Sequence, residues 1–446
     1  MPFTPPYPPR KSVGGPLATL RAARDNFIAV LTPSMFEAET VHRKYLNQVL
    51  FFCNSPKTVR QVFIDDAANV EPKSQQMIHV LRPLLGNGLF VSEGAHWAKH
   101  RRIIAPLTHI SRLAQFVPAM SGAVAHRAEQ WRAARGTEID ILAEMAELTA
   151  DVIGRAVFGG KLGVGAAKKI VQNFSAYQRT VGTLDLASML GLPDYFPRWQ
   201  SRATIRAAES IKALVSEMIA ALDAIDPGER EGLVSMMLDA FRAEGVAPGD
   251  VRDEATVLLM AGHETTANTL AWAWYCLSQD EASWNELRDE LRSLGRPPVD
   301  LDDVERLPFT RAVIDETLRL LARRSREDRE IEGHHVPAGS FVAAVPWLLH
   351  RHKKLWREPD LFDPWRFMPN GGGAPDRYCY LPFSIGPRIC TGMAFALTEA
   401  VICLATLAQV ARPKLREGHP VMPCARLSLR PGEYLPMVLD AGALES

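Results

Sequence analysis

Phe383-Ser384-Ile385-Gly386-Pro387-Arg388-Ile389-Cys390-Thr391-Gly392 contains one cysteine around which the rest of the chain can be read. The loop is punctuated by glycine and proline and runs straight into an apolar helical stretch, residues 393–410. The Cys390 sulfur therefore lies at or just before a helix N-terminus, where unpaired backbone N–H groups and the helix dipole favour a thiolate. Gly386 and Gly392 permit unusual torsions and the close approach of something flat and bulky. Arg388, two residues before the cysteine, is placed to fork onto a carboxylate beside that object. The chemical reading is a thiolate under a planar, carboxylate-bearing cofactor, which means haem. Taken alone, such a residue reads more plainly as a buried cysteine in a tight turn.

The rest of the sequence bounds the setting. The chain has 446 residues, 51 basic and 51 acidic side chains and 47% hydrophobic content, enough for a large globular core. Balanced charge argues against nucleic acid or an anionic membrane as partner. Six cysteines (Cys53, Cys276, Cys379, Cys390, Cys403 and Cys424) show neither C-x-x-C pairing nor zinc-ligand spacing. The opening ten residues are proline-rich and lack the apolar core of a signal peptide. The expectation is a cytoplasmic protein without a membrane anchor. Residues 258–277 are the most nearly membrane-like, but His263, Glu264, three threonines and Asn268 interrupt them, as in a buried core helix.

In chain order, helical spacing covers 17–31, a β-prone run covers 40–53, and Ser55-Pro56 opens another helix. Residues 93–104 place Trp97 and Arg101 at i and i+4 on one helix face. Cation–π packing on a surface helix explains that pair equally well. Lys99, His100 and Arg102 beside it make a basic patch, either a solvated face or a dock for an acidic electron carrier. Long helices follow at 119–134, 141–157 and 204–225, the last stopped by Asp226-Pro227-Gly228. Residues 181–199 read as an irregular apolar connection. Pro248-Gly249-Asp250 starts the helix that carries Ala261-Gly262-His263-Glu264-Thr265-Thr266.

An acid and two hydroxyls inside an apolar helix need a reason, since each unpaired buried polar group costs about 1–3 kcal/mol. Proton delivery supplies one: a hydroxyl that turns from its own backbone to bind water, beside a carboxyl that relays protons. A structural salt bridge is the alternative for Glu264. Gly262 would let a flat ring or O2 approach the helix wall, and His263 reads as structural. Residues 281–294 and 309–321 are amphipathic helices. The second contains Glu316-Thr317-Leu318-Arg319, an acid and a base at i and i+3. Residues 341–349 read as a strand, Asn370-Gly371-Gly372-Gly373 as a loop, and 426–439 as a closing hairpin.

Together these residues resemble the cytochrome P450 family. Phe383, Gly386, Arg388, Cys390 and Gly392 match its haem-binding pattern Phe-x-x-Gly-x-Arg-x-Cys-x-Gly at every fixed position. The family's Trp-x-x-x-Arg, acid-Thr, Glu-x-x-Arg and Pro-x-Arg-Phe motifs precede it here in the expected order. The resemblance implies a mainly α fold with a smaller β-rich part near the N-terminus. It implies one P450 domain over 1–446, behind a proline-rich lead at 1–16. Haem b (iron protoporphyrin IX) would lie in the α-rich part with Cys390 as the axial metal ligand. Trp97 and Arg101 would face one haem propionate. Thr265 would hold water at the oxygen-binding face and Glu264 would relay protons. Glu316, Arg319 and Arg366 would brace the cysteine loop as a structural network.

One departure stands out. After Arg319 the chain reaches residues 323–333 almost at once, where the family spends more residues on a wall of the substrate pocket. Arg323 and Arg326 both qualify as the second propionate contact, one by its spacing to Asp328 and the other by its reach from Arg319. The implied reaction inserts one oxygen atom from O2 into a small apolar organic substrate, usually as a hydroxylation. Too little chain follows Cys390 for a reductase domain, so a separate ferredoxin- or flavodoxin-type donor and its reductase are expected. A peroxide-dependent peroxygenase (or related isomerase) is the competing enzyme, and the Glu264-Thr265 pair argues against it. A non-catalytic haem sensor is the third reading, with no signalling domain to support it. The substrate is not legible: fatty acids, terpenoids, steroids and aromatics all remain open.

Overall fold

The computed structural model describes residues 3–9, 14–45, 48–66, 75–159, 164–180, 200–321, 336, 341–373, 375–425 and 428–444. The connection at 181–199 and both Arg323 and Arg326 lie outside the described residues. Among the described residues, the helices of at least eleven residues are, in order, α1 (Gln75–Leu85), α2 (Gly94–Leu107), α3 (Val117–Ala133), α4 (Ile141–Phe158), α5 (Val164–Thr180), α6 (Arg202–Asp223), α7 (Leu233–Ala243), α8 (Pro248–Gln279), α9 (Glu281–Leu294), α10 (Pro308–Leu321) and α11 (Met393–Ala408). The strands are β1 (Thr40–Tyr45), β2 (Gln48–Cys53), β3 (Glu138–Asp140), β4 (Phe341–Ala344), β5 (Ala411–Leu415), β6 (Cys424–Ala425), β7 (Leu429–Arg430) and β8 (Pro436–Ala441).

Helix α8 is the axis of the fold. Its 32 residues span about 48 Å at 1.5 Å per residue. Proline at its start and Asp250 in its first turn suit a helix N-terminus. From Leu259 onward most of its side chains are buried whichever way they point, as expected of a helix through the middle of a core. Helix α4 lies along it, capped by the Asp140 carboxylate at one end and by left-handed Gly159 at the other. Thr149 of α4 donates to the His263 carbonyl at 2.7 Å, and Trp131 of α3 meets Trp274 of α8 at 5.6 Å between ring centroids. Gly262 is consumed by this packing. A Cβ there would come within 2.8 Å of Ile153 side-chain carbons, so the approach of the two helices by itself demands glycine, whose backbone also borders the main cavity.

The β-structure is small and split. β1 and β2 are antiparallel, with Thr40 opposite Cys53, and β4 adds parallel to β2, with Leu50 opposite Phe341. A second sheet, in the order β3-β8-β5, joins residues 138–140 to the C-terminal strands. β-Structure is thus not confined to the N-terminal part. The expected strand at 341–349 stops at Ala344, because Pro346 has no N–H for a ladder and opens a four-residue helix instead. The expected hairpin at 426–439 also differs. β7 pairs with β6, while β8 pairs with β3 and β5. No helix among the described residues is long and apolar enough to cross a membrane.

Candidate functional site

The cysteine loop closes on itself through the Cys390 N–H, which donates to the Phe383 carbonyl at 2.9 Å. Gly386 has φ of 74° and would place a Cβ 2.2 Å from the Phe63 carbonyl oxygen. Its conformation and its crowding both demand glycine, but the close neighbour is protein backbone. Gly392 corrects the expectation differently. Its φ of −87° is ordinary, and only the Cys390 Sγ, at 3.9 Å, comes near its missing Cβ. Space beside the sulfur therefore stays clear.

Helix α11 begins just beyond, with Gly392 as its N-cap. The Cys390 side chain is open to a cavity on one side and enclosed by protein on the others. Burial pushes its thiol pKa up, with the Gly392 N–H and Arg101 offsetting part of the rise. Desolvation thus outweighs the Gly392 N–H and Arg101 contributions. A bound metal cation reverses that balance, since metal binding to cysteine displaces the proton.

The cavity has a volume of about 470 Å³. Cys390 and Phe383 of the cysteine loop line it, as do Ala261, Gly262 and Thr265 of α8, and Arg101 and Arg388, with Trp97 beside them, contribute the cationic part. Much of the remainder is apolar, including Leu89, Phe116, Leu233, Met260 and Phe395. The Arg388 guanidinium stacks 3.8 Å from the Trp97 ring centroid and donates to the Ser92 carbonyl at 3.0 Å. Arg101 is half-buried, and burial lowers its pKa while Cys390 opposes the shift. Among the described residues no carboxylate pairs with it. An apolar space with one thiol, a clear face beside it and a guanidinium without a carboxylate partner among the described residues suits a flat apolar group that carries carboxylates and a metal. Cys390 would ligate the metal, and Arg101, Trp97 and Arg388 would receive the acidic edge.

In the same cavity, the Thr265 hydroxyl donates to its own helix at the Ala261 carbonyl, 2.7 Å away, and the residue stays exposed. Glu264 is buried and its Oε1 accepts from Gln178 and, at 2.6 Å, from Ser428. Ser428 in turn accepts from Asn268 at 2.7 Å. No cation pairs with Glu264 among the described residues, so the salt-bridge alternative is not the arrangement found. The carboxyl borders both the main cavity and a small polar recess with Gln178, His263, Asn268 and Arg430. His263 is structural: burial holds its pKa down, and its ring sits edge-on to Phe174 at 5.1 Å.

Sequence reading missed Gln178 and Ser428, which lie 86 and 164 residues from Glu264 and leave no local signal. It also missed Glu399, one turn into the α11 core. Glu399 is fully buried, lines the cavity, and has neither carboxyl oxygen in a hydrogen bond among the described residues. Burial pushes its pKa well above the ordinary carboxylate value, and the neighbouring Thr266 hydroxyl opposes that rise. The signal that points to it is an acid inside the otherwise apolar run of α11.

Glu316, Arg319 and Arg366 come together in one buried charge cluster. Arg319 forks onto Glu316 at 2.6 and 2.7 Å and donates to the carbonyls of His350, Pro359 and Leu361. Arg366 approaches Glu316 to 3.6 Å and donates to the Arg357 carbonyl at 2.8 Å. His350 carries the network to the cysteine loop. One ring nitrogen meets the Arg319 carbonyl at 2.9 Å and the other accepts the Leu381 N–H at 2.8 Å. Burial pushes the His350 pKa down to about 3. The basic patch on α2 is narrower than expected, because His100 is buried against Glu254. Lys99 and Arg102 both lean on Glu244.

The family model for cytochrome P450 matches residues 5–435. The chain is 32% identical over 393 residues to cyclooctatin synthase of Streptomyces melanosporofaciens, covering 84% of this chain and 83% of that one. It is 30% identical over 375 residues to cyclooctat-9-en-7-ol 5-monooxygenase of the same organism, covering 79% and 78%. Among solved structures, the haem domain of cytochrome P450DA superposes with a TM-score of 0.79 at 22% identity, over 99% of this chain and 98% of that one.

Proposed function

The chain belongs to the cytochrome P450 family of haem monooxygenases, which use O2, a redox partner and an organic substrate, and on that premise we propose that it holds haem b through Cys390 and hydroxylates a bulky apolar, alicyclic molecule. The observation that carries the reading is one largely apolar cavity lined by Cys390, Thr265 and Arg101, whose guanidinium has no carboxylate partner among the described residues. The names of the two Streptomyces relatives support the alicyclic substrate class. When bound, the haem supplies iron for O2 activation, and thiolate ligation favours O–O cleavage.

The chain's own groups then manage water and protons. Apolar walls exclude bulk water and leave room for an apolar substrate. The Thr265 hydrogen is committed to the Ala261 carbonyl, so its oxygen presents lone pairs to the cavity and orders a water there. Glu264, held by Gln178 and Ser428 at the border of the polar recess, takes protons from that side and passes them inward by turning its side chain. Glu399 lines the same cavity, and burial there favours its protonated form. Electrons come from a separate ferredoxin- or flavodoxin-type donor and its reductase. The exposed Arg102, on the same helix as Trp97 and Arg101, suits an acidic carrier. We place the reaction in the cytoplasm, in keeping with a cysteine set that forms no disulfide among the described residues.

The decisive test is the spectrum of the reduced, CO-bound protein. Thiolate ligation gives a strongly red-shifted Soret band, and Cys390→Ser loses it; a band at the position of histidine-ligated haem in the unmutated chain refutes the reading. Low- to high-spin titration should then respond to bulky alicyclic alcohols more than to fatty acids or simple aromatics. Turnover should require a reductase system and O2, and hydrogen peroxide alone should not replace them.

A further inference from the structure

His96, His100 and Asp250 form a second cluster that the haem cavity does not use. His96 and His100 stand one helical turn apart on α2, their ring centroids 3.9 Å apart with a 36° tilt. Asp250, from the first turn of α8, brings Oδ2 to 3.9 Å from His100 Nε2. One donor atom from each of the three lies within 4.8 Å of the others.

Each imidazole is also oriented from behind. His100 Nδ1 lies 2.6 Å from the Glu254 carboxylate. That carboxylate is fully buried and is fixed by the Leu89 N–H at 2.9 Å. His96 Nε2 lies 3.0 Å from the Asn87 carbonyl. Carbonyl and carboxylate oxygens accept, so these nitrogens carry the protons and the lone pairs fall to His96 Nδ1 and His100 Nε2. Histidines held by outer acceptors, with a carboxylate beside them, are the donor set and outer shell of zinc centres.

We propose that His96, His100 and Asp250 bind a divalent transition-metal ion of the zinc class, with water as the fourth ligand. Two nitrogens and one oxygen select against Mg²⁺ and Ca²⁺, which prefer all-oxygen shells. Zinc at its usual bond lengths of about 2.0–2.2 Å sets tetrahedral donors roughly 3.3 Å apart. Asp250 sits at a helix start and is partly exposed, so its side chain can turn to close the 3.9 Å gap to His100 in a cluster whose donors already lie within 4.8 Å of one another. A bound ion pins α2, which carries Trp97 and Arg101, to α8, which carries Thr265.

The test uses the haem-loaded full chain, so that Cys390 is already engaged. After treatment with chelator and dialysis, Zn²⁺ alone is added and followed by calorimetry and elemental analysis, with Co²⁺ visible bands reporting the geometry. The expected result is one zinc per chain beyond the iron and a Tm that rises with zinc. His96→Gln and Asp250→Asn should each weaken zinc binding at least tenfold, with the CO-bound spectrum unchanged. These two substitutions leave His100 in place, whose removal would strand the buried Glu254. No zinc beyond the iron, or full zinc affinity in either variant, overturns the proposal.

Discussion

At the scale of single residues, the site depends on groups left unpaired as much as on those that are bonded. Arg101 is half-buried with no carboxylate partner among the described residues, a cost that a bound acidic group removes. A hydrogen bond to a charged group contributes about 1.5–3 kcal/mol, so Arg101→Gln should weaken haem retention roughly 10- to 100-fold. Haem transfer to apomyoglobin measures this, and equal retention would take Arg101 out of the haem contacts. Thr265→Ala removes the lone pairs that order water while leaving the helix intact. Product formed per electron consumed should drop severalfold, with NADPH consumption largely kept. Unchanged coupling removes Thr265 from the proton path.

At the scale of elements, the contact between α4 and α8 fixes where the Thr265 segment sits. Gly262 has no room for a side chain, because the Ile153 carbons lie 2.8 Å from the Cβ position. Overpacking of this kind costs about 1–3 kcal/mol. Gly262→Val should lower stability by that order in urea denaturation, and Ile153→Ala in the same chain should restore part of it. A Gly262→Val protein of full stability would mean that the helices part freely. The helix bounds themselves were mostly legible. Ser55-Pro56, Asp226-Pro227-Gly228 and Pro248-Gly249-Asp250 act through local torsions and caps. The strands at 426–439 were not, since their partners are β3, β5 and β6 and nothing local selects among them.

At the scale of the whole molecule, His350 couples α10, the segment after β4 and the cysteine loop through neutral-imidazole hydrogen bonds. Its pKa is about 3 when folded, against an ordinary 6.5. The unfolded chain therefore binds more protons between those values. The contribution of His350 is complete above about pH 6.5 and falls by about 1.4 kcal/mol per pH unit below it, until about pH 3. His350→Gln keeps a donor and an acceptor without the titration, so its stability between pH 6 and 4 should decline less steeply by about that slope. Equal slopes in urea titrations at several pH values would show that the imidazole does not control acid stability.

The sequence by itself determined the cysteine loop, the order of the motifs, most helix bounds and the charge triad of Glu316, Arg319 and Arg366. All of these are written in short-range spacing, caps and rigid turn residues. Tertiary structure alone decided the partners of Glu264, the burial that raises the pKa values of Cys390 and Glu399, the packing role of Gly262 and the meeting of His96 and His100 with Asp250. Those depend on burial and on contacts between residues far apart in the chain, and desolvation has no local signature in sequence.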